Sequence, residues 1–230
     1  MKQMSQVERD VAVVEGGPIA SVGTAIALLK ALPADGTHLG VNELARRLGL
    51  HKSKVSRLLS TLARHDFVDR DPRNGRFALG VGLIALVGPM LGRLDVAKVA
   101  KPVLDDIARE TGETAFIALW GGEEAVMVEQ TIGTRAVVHY SWPGKSVPAH
   151  TTAAGKVFLA FLGEAMVKRA LEGRLARRTP ATITSRAALM AELAHVRARG
   201  YAINDEENER ESCGIAAPVS NFRGDVVAAL

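Results

Sequence analysis

The run His51-Lys52-Ser53-Lys54-Val55-Ser56-Arg57-Leu58-Leu59-Ser60-Thr61-Leu62-Ala63-Arg64 decides how the first third of this chain folds. Val55, Leu58, Leu59 and Leu62 fall at i, i+3, i+4 and i+7, which is one face of an α-helix. The opposite face carries Lys52, Lys54, Ser56, Arg57, Thr61 and Arg64. From Ala45 to His65 there are six Lys or Arg residues and no Asp or Glu. An ordinary solvated helix face mixes the two signs. A face of cations and hydroxyls alone suits a polyanion.

The neighbouring residues extend that reading in both directions. Upstream, Val41 to Leu48 is a short helix with Leu44, Ala45 and Leu48 inward, stopped by Gly49, a residue at ease in the left-handed conformation. Before it, Ser21 is placed to cap a helix over Val22 to Leu32, with Ile26, Leu28, Leu29 and Leu32 inward and Pro33 as its end. Ala34 to Thr37 is turn chemistry. Downstream, Phe67 to Arg70 and Arg76 to Leu79 flank Asp71-Pro72-Arg73-Asn74-Gly75, the pattern of a β-hairpin. Two helices joined around a glycine are a helix-turn-helix, and the added helix and hairpin make it a winged helix. Arg73 and Arg76 stand at the hairpin tip.

Charge is partitioned along the chain. Residues 1–80 hold 12 Lys or Arg against 8 Asp or Glu, and residues 81–230 hold 17 of each, so the whole net charge of +4 lies in the first third. A basic module on a neutral one indicates division of labour. The single cysteine, Cys213, excludes an intrachain disulfide and a cysteine-based metal site, and fits a reducing cytoplasm. No apolar targeting segment opens the chain; residues 1–18 read as a flexible arm ending at Gly16-Gly17-Pro18. The longest apolar run, Val81 to Leu91, is interrupted by Gly82, Gly88 and Pro89 and is too short to span a membrane.

Beyond the wing, Val81 to Leu94 has the apolar content of a helix. Val96 to Glu110 is amphipathic, with Val99, Val103, Leu104 and Ile107 expected inward. Strand signals follow at Thr114 to Trp120, Ala125 to Glu129 and Ala136 to Trp142. Helices are expected at Thr152 to Phe161, Glu164 to Leu175 and Ser185 to Arg199, with Gly200 as a stop. Tyr201 to Asn204, Gly214 to Val219 and Val226 to Leu230 close the chain as strands. The fold class is α+β, two domains, the second built on an antiparallel sheet. The expected divisions are an arm over 1–18, a winged helix over 19–80, a linker helix over 81–95 and a second domain over 96–230.

Several motifs in the second domain invite chemistry. Ala154-Gly155-Lys156 suggests a phosphate loop, but His150 stands where the first glycine belongs and Val157 replaces the Ser or Thr that would hold magnesium. Small residues at 153 and 154 also suit close packing of a helix on a sheet. Asn204-Asp205-Glu206-Glu207-Asn208-Glu209 lacks calcium-loop spacing and reads as a solvated loop. Cys213 has no second cysteine to resolve an oxidised form and reads as a structural thiol. His150 either orients a ligand or caps the helix at Thr152; His139, Trp120 and Trp142 fit core or pocket wall. No metal-ligand spacing, catalytic set or cofactor loop is present in the sequence, so no cofactor is expected.

Ser21-Val22-Gly23-Thr24-Ala25, Glu43-Leu44-Ala45-Arg46-Arg47-Leu48-Gly49-Leu50, Lys52-Ser53, Arg57-Leu58-Leu59 and Gly75-Arg76-Phe77-Ala78-Leu79-Gly80 resemble, in order and spacing, the winged helix of the isocitrate lyase regulator (IclR) family of bacterial transcription factors. The resemblance continues to the last residue. It implies a DNA-binding regulator, leaning to repressor, with a linker helix and a GAF-like domain that binds a small organic effector such as a carboxylate or an aromatic acid. It also implies a cytoplasmic homodimer or homotetramer whose partner is a double-stranded operator. Lys52, Ser53, Lys54, Ser56 and Arg57 would then reach base edges in the major groove, and Arg46, Arg47, Arg73 and Arg76 would meet phosphate or act from the wing. By position the effector role falls on Ala154 and Gly155 at a helix start, on Asn204 where the family often has Asp, and on Gly214 where it often has Cys, with His150 nearby. The family pattern continues past the final strand, so the chain is expected to stop inside that strand. The rival reading, an enzyme acting on a small organic acid with an appended DNA-binding domain, has no nucleophile–base pair to support it. A pure protein-interaction module is disfavoured by the acid-free helix.

Overall fold

The structure is a computed structural model that describes residues 19–91, 95–135, 143–172 and 175–230. The predicted arm, the predicted strand over 136–142 with His139 and Trp142, and Leu94 of the predicted linker lie outside those residues. The chain divides into two compact units, residues 1–93 and 94–230.

In the first unit, α1 (Ala20–Ala31), α2 (Val41–Leu48) and α3 (Lys52–Ala63) precede a hairpin of β1 (Val68–Arg70) and β2 (Phe77–Leu79), followed by α4 (Gly82–Leu91). The core is where the periodicity places it: Leu28, Leu44, Leu48, Val55, Leu59, Val68 and Phe77 are buried together. Full burial of each such side chain stabilises the fold by roughly 1.5–3 kcal/mol. Gly49 ends α2 in the left-handed region at φ 64°. Two details differ from the sequence reading. Helix α1 starts one residue before Ser21 and has no side-chain cap, and Ile26, expected inward, is 51% exposed. Ahead of α2, Leu39 exchanges both backbone hydrogen bonds with Phe77 at 2.8 Å, adding a third pairing to the wing that the turn-like sequence did not reveal. Where α4 leaves the wing, a Cβ on Gly80 or Gly82 would strike the Asp66 backbone, so this junction requires glycine.

The second unit opens with α5 (Asp95–Thr111) and an antiparallel pair, β3 (Ala115–Trp120) and β4 (Glu124–Thr131). Then come β5 (Ser146–Pro148), α6 (Ala153–Phe161), α7 (Glu164–Ala170), α8 (Arg186–Arg199), β6 (Ala202–Asp205), β7 (Cys213–Ala216), β8 (Pro218–Ser220) and β9 (Val226–Ala229). Five strands form one antiparallel sheet in the order β5-β4-β3-β9-β8, and β6 pairs with β7 in a separate ribbon. The alternation along β3 divides the core. Ala115 and Ile117 pack with Ala100 and Leu104 of α5, while Ala118 faces Val157 and Phe158 of α6 and Leu189 and Leu193 of α8. The single strand expected over Gly214 to Val219 is broken: β7 pairs with β6 and β8 with β9. Pro218 sits at the break, where it has no N–H to offer a ladder. On α5, Val99 is 74% exposed and Val103 48% exposed, against expectation; Ala100, Leu104 and Ala108 are the inward face.

Candidate functional site

The first unit presents its cations on α3 and around it. Val55, Leu59 and Leu62 anchor the buried side of the helix, which leaves Lys52, Ser53, Ser56 and Arg57 exposed and Lys54 half-buried. Arg46, Lys52, Lys54, Arg57 and Arg73 have no acid within ion-pair distance among the described residues. Arg47 and Arg76 differ. Both reach Glu43, the one acid of α2, at 3.1 Å to its two carboxylate oxygens. Glu43 thus ties α2 to the wing, a role that the sequence, with Glu43 and Arg76 33 positions apart, did not show. The wing tip is built by Asp71, whose carboxylate accepts from Arg73 N–H at 2.8 Å and from the Asn74 amide at 2.5 Å. Asn74 Oδ1 in turn accepts from Arg76 N–H at 2.9 Å.

In the second unit the residues marked for an effector gather around the start of α6, but several hold structural positions. Thr152, not His150, caps α6: its hydroxyl accepts from Gly155 N–H at 3.2 Å. A Cβ on Gly155 would overlap the Ala149 backbone. Gly155 is therefore a packing glycine, and its N–H is bonded to the Thr152 hydroxyl. Ala154 is buried beside it. His150 instead lies with Nε2 3.0 Å from the Ala176 carbonyl, so the ring donates there, and burial holds its pKa below the ordinary value.

The acidic loop is not simply solvated, as expected, but clamped. Asn204 is buried, and its Oδ1 accepts from Glu207 N–H at 2.9 Å and Asn208 N–H at 3.3 Å. Thr179 and Thr182 donate to the carbonyls of Glu206 and Glu207, each at 2.7 Å. Glu207 reaches Lys156 Nζ at 2.5 Å, and the Lys156 side chain is only 1% exposed. Glu192 lies 3.9 Å from the same ammonium and pairs with Arg199 at 2.8 Å. This buried pair was missed because its members lie 51 positions apart. The two backbone donors on Asn204 Oδ1 fix the amide orientation and leave Nδ2 as a donor with no partner among the described residues. Gly214 is the ladder partner of Asn204 and is exposed, so no side chain stands opposite that amide. Cys213 is exposed, and its thiol donates to Asp205 at 3.2 Å; that carboxylate pushes the thiol pKa up and keeps it protonated. Among the described residues no group of three His, Cys, Asp or Glu is placed to hold a metal, and no helix is long and apolar enough to cross a membrane.

A basic three-helix unit with a hairpin wing, joined in sequence to a unit with a helix-covered antiparallel sheet, is the architecture of a two-domain transcriptional regulator. Residues 21–72 match the IclR helix-turn-helix domain, and residues 89–230 match the C-terminal domain of bacterial IclR transcriptional regulators. The chain belongs to the IclR family of DNA-binding transcriptional regulators. It is 39% identical to the HTH-type transcriptional regulator XynR of Escherichia coli over 92% of this chain and 84% of XynR. It is 30% identical to the transcriptional repressor IclR of the same species over 84% of this chain and 71% of that repressor. The crystal structure of an IclR homologue complexed with 4-hydroxybenzoate, from Microbacterium hydrocarbonoxydans, superposes with a TM-score of 0.74 at 25% identity, covering 91% of this chain and 86% of that one. These relatives are regulators and not enzymes, which removes the enzymatic alternative.

Proposed function

We propose that this protein is a cytoplasmic, effector-controlled repressor that reads operator DNA through α3. The observation that carries the reading is the outward face of α3, where Lys52, Ser53, Ser56 and Arg57 stand exposed with no acidic partner among the described residues, on a helix whose other side is locked into the core. Lys54, half-buried beside them, completes the set that reaches base edges in the major groove. Arg46 and Arg73 contact phosphate, and Arg47 and Arg76 do so from their shared position on Glu43. The effector is a small carboxylate or aromatic acid, in keeping with the 4-hydroxybenzoate held by the Microbacterium homologue. It binds near the start of α6, where Ala154 lies, and is met by Asn204 Nδ2 over the space left by Gly214.

Two apolar stripes support a homo-oligomer. Ile19, Val22 and Ile26 on and just before α1, and Val81 and Ile84 at the start of α4, are each more than half exposed. A second copy covering them would set the spacing of two recognition helices on a two-fold operator. The effector would favour one arrangement of the copies and shift the population away from DNA. Arg57→Ala is expected to lose operator affinity at fixed moderate salt while keeping its far-UV circular dichroism; wild-type affinity in that variant would remove α3 from the interface.

A further inference from the structure

The N-cap of α3 is His51, and its side chain is used in an unusual way. Nδ1 accepts from Ser53 N–H at 3.4 Å and lies 2.9 Å from Ser53 Oγ. A ring nitrogen that accepts a hydrogen bond carries no proton, so the proton of the neutral imidazole sits on Nε2. With Nδ1 bare, Ser53 Oγ–H is the donor in the closer of the two contacts. His51 is exposed, and Nε2, on the far side of the ring, has no partner among the described residues.

We infer that His51 is a direct DNA contact, donating through Nε2–H to an acceptor on the duplex in a tautomer fixed by its own capping bond to Ser53. Ser, Thr, Asp or Asn at an N-cap satisfies a backbone N–H and presents little else. Histidine at this position caps the helix and still carries a donor on the opposite edge of the ring. That donor stands next to Lys52, at the end of α3 that faces DNA in the function proposed above, on which this inference rests. The duplex offers two acceptors there, a phosphate oxygen and a base edge such as guanine N7 or O6. Ser53 acquires a defined role from the same geometry. Its hydroxyl proton is committed to Nδ1, so it meets DNA as an acceptor, suited to an exocyclic amino group of cytosine or adenine.

The test uses a duplex that the wild-type full chain selects from a randomised library, titrated at pH 8 against several salt concentrations. His51→Ser keeps a good cap and removes the ring donor. It is expected to bind about tenfold more weakly, the effect of one net hydrogen bond, with a thermal midpoint near that of the wild type. The slope of log affinity against log salt should stay unchanged, because a neutral donor displaces no counterion. Repeating the selection with His51→Ser separates the two sources: relaxed preference at one base pair assigns the contact to a base edge, and an unchanged preference with uniform weakening assigns it to phosphate. If His51→Ser binds like the wild type while Arg57→Ala is weakened, His51 is only a cap and the inference is overturned. If both variants bind like the wild type, the reading of α3 itself falls.

Discussion

Replacing Lys156 by Met should damage the second unit more than any substitution on its surface. Lys156 is 1% exposed and its ammonium lies 2.5 Å from a Glu207 carboxylate that is itself 10% exposed. Met keeps most of the stem volume and removes the charge, leaving Glu207 buried with no cation. Breaking a buried pair in this way costs about 3–5 kcal/mol, against a total domain stability of roughly 5–15 kcal/mol. The reverse change, Glu207→Gln, should cost less, because Glu192 remains 3.9 Å from the ammonium and the Gln oxygen can still accept. The double variant Lys156→Met/Glu207→Leu removes both charges and should recover most of the loss. Urea unfolding followed by circular dichroism reads all three. A Lys156→Met protein within about 1 kcal/mol of the wild type would refute the claim that the pair is dry, since exposed pairs are worth about that much.

Three further outcomes follow from particular contacts. Gly155→Ala should lower the urea midpoint by the cost of overpacking, about 1–3 kcal/mol, because its Cβ meets the Ala149 backbone; an unchanged midpoint would contradict the close approach. Glu43→Gln frees Arg47 and Arg76 and should tighten DNA binding at low salt, whereas unaltered affinity would show that those two guanidinium groups do not reach the duplex. His150 is held below the ordinary imidazole value of 6.5 by burial. Its unfolded form therefore takes a proton before its folded form does. Stability is full above pH 6.5 and declines as pH falls below that value towards the lowered one. Urea midpoints compared at pH 7.5 and 5.5 should show this decline, and His150→Gln should reduce it.

Local pattern was enough for the helices and the wing. Leu44, Leu48, Val55 and Leu59 are periodic, and Gly49, Asn74 and Gly75 punctuate them, so short-range chemistry alone specifies α2, α3 and the β1–β2 turn. The pattern misled at Ile26, Val99 and Val103, because apolar spacing shows that a stripe exists and not whether it faces a core or solvent. Strand β5 escaped notice since three residues ending in Pro148 carry no alternation. The exposed cations of α3 were legible because their distinguishing property, an absence of acids, is written along one helix. The surroundings of α6 were not, since the roles of Lys156, Glu207, Asn204 and His150 come from residues 26 to 51 positions away or from a loop turned back on itself.

The central claim is that α3 lies in the groove of its operator. Because Cys213 is the one cysteine, a Cys213→Ser background allows a single iron–EDTA label at Ser56→Cys, which stands on the exposed face of α3. With the labelled protein bound to its selected duplex in a gel shift, strand cleavage should be confined to the bases that flank the bound groove. Full binding without localised cleavage would place some other surface of the protein against DNA.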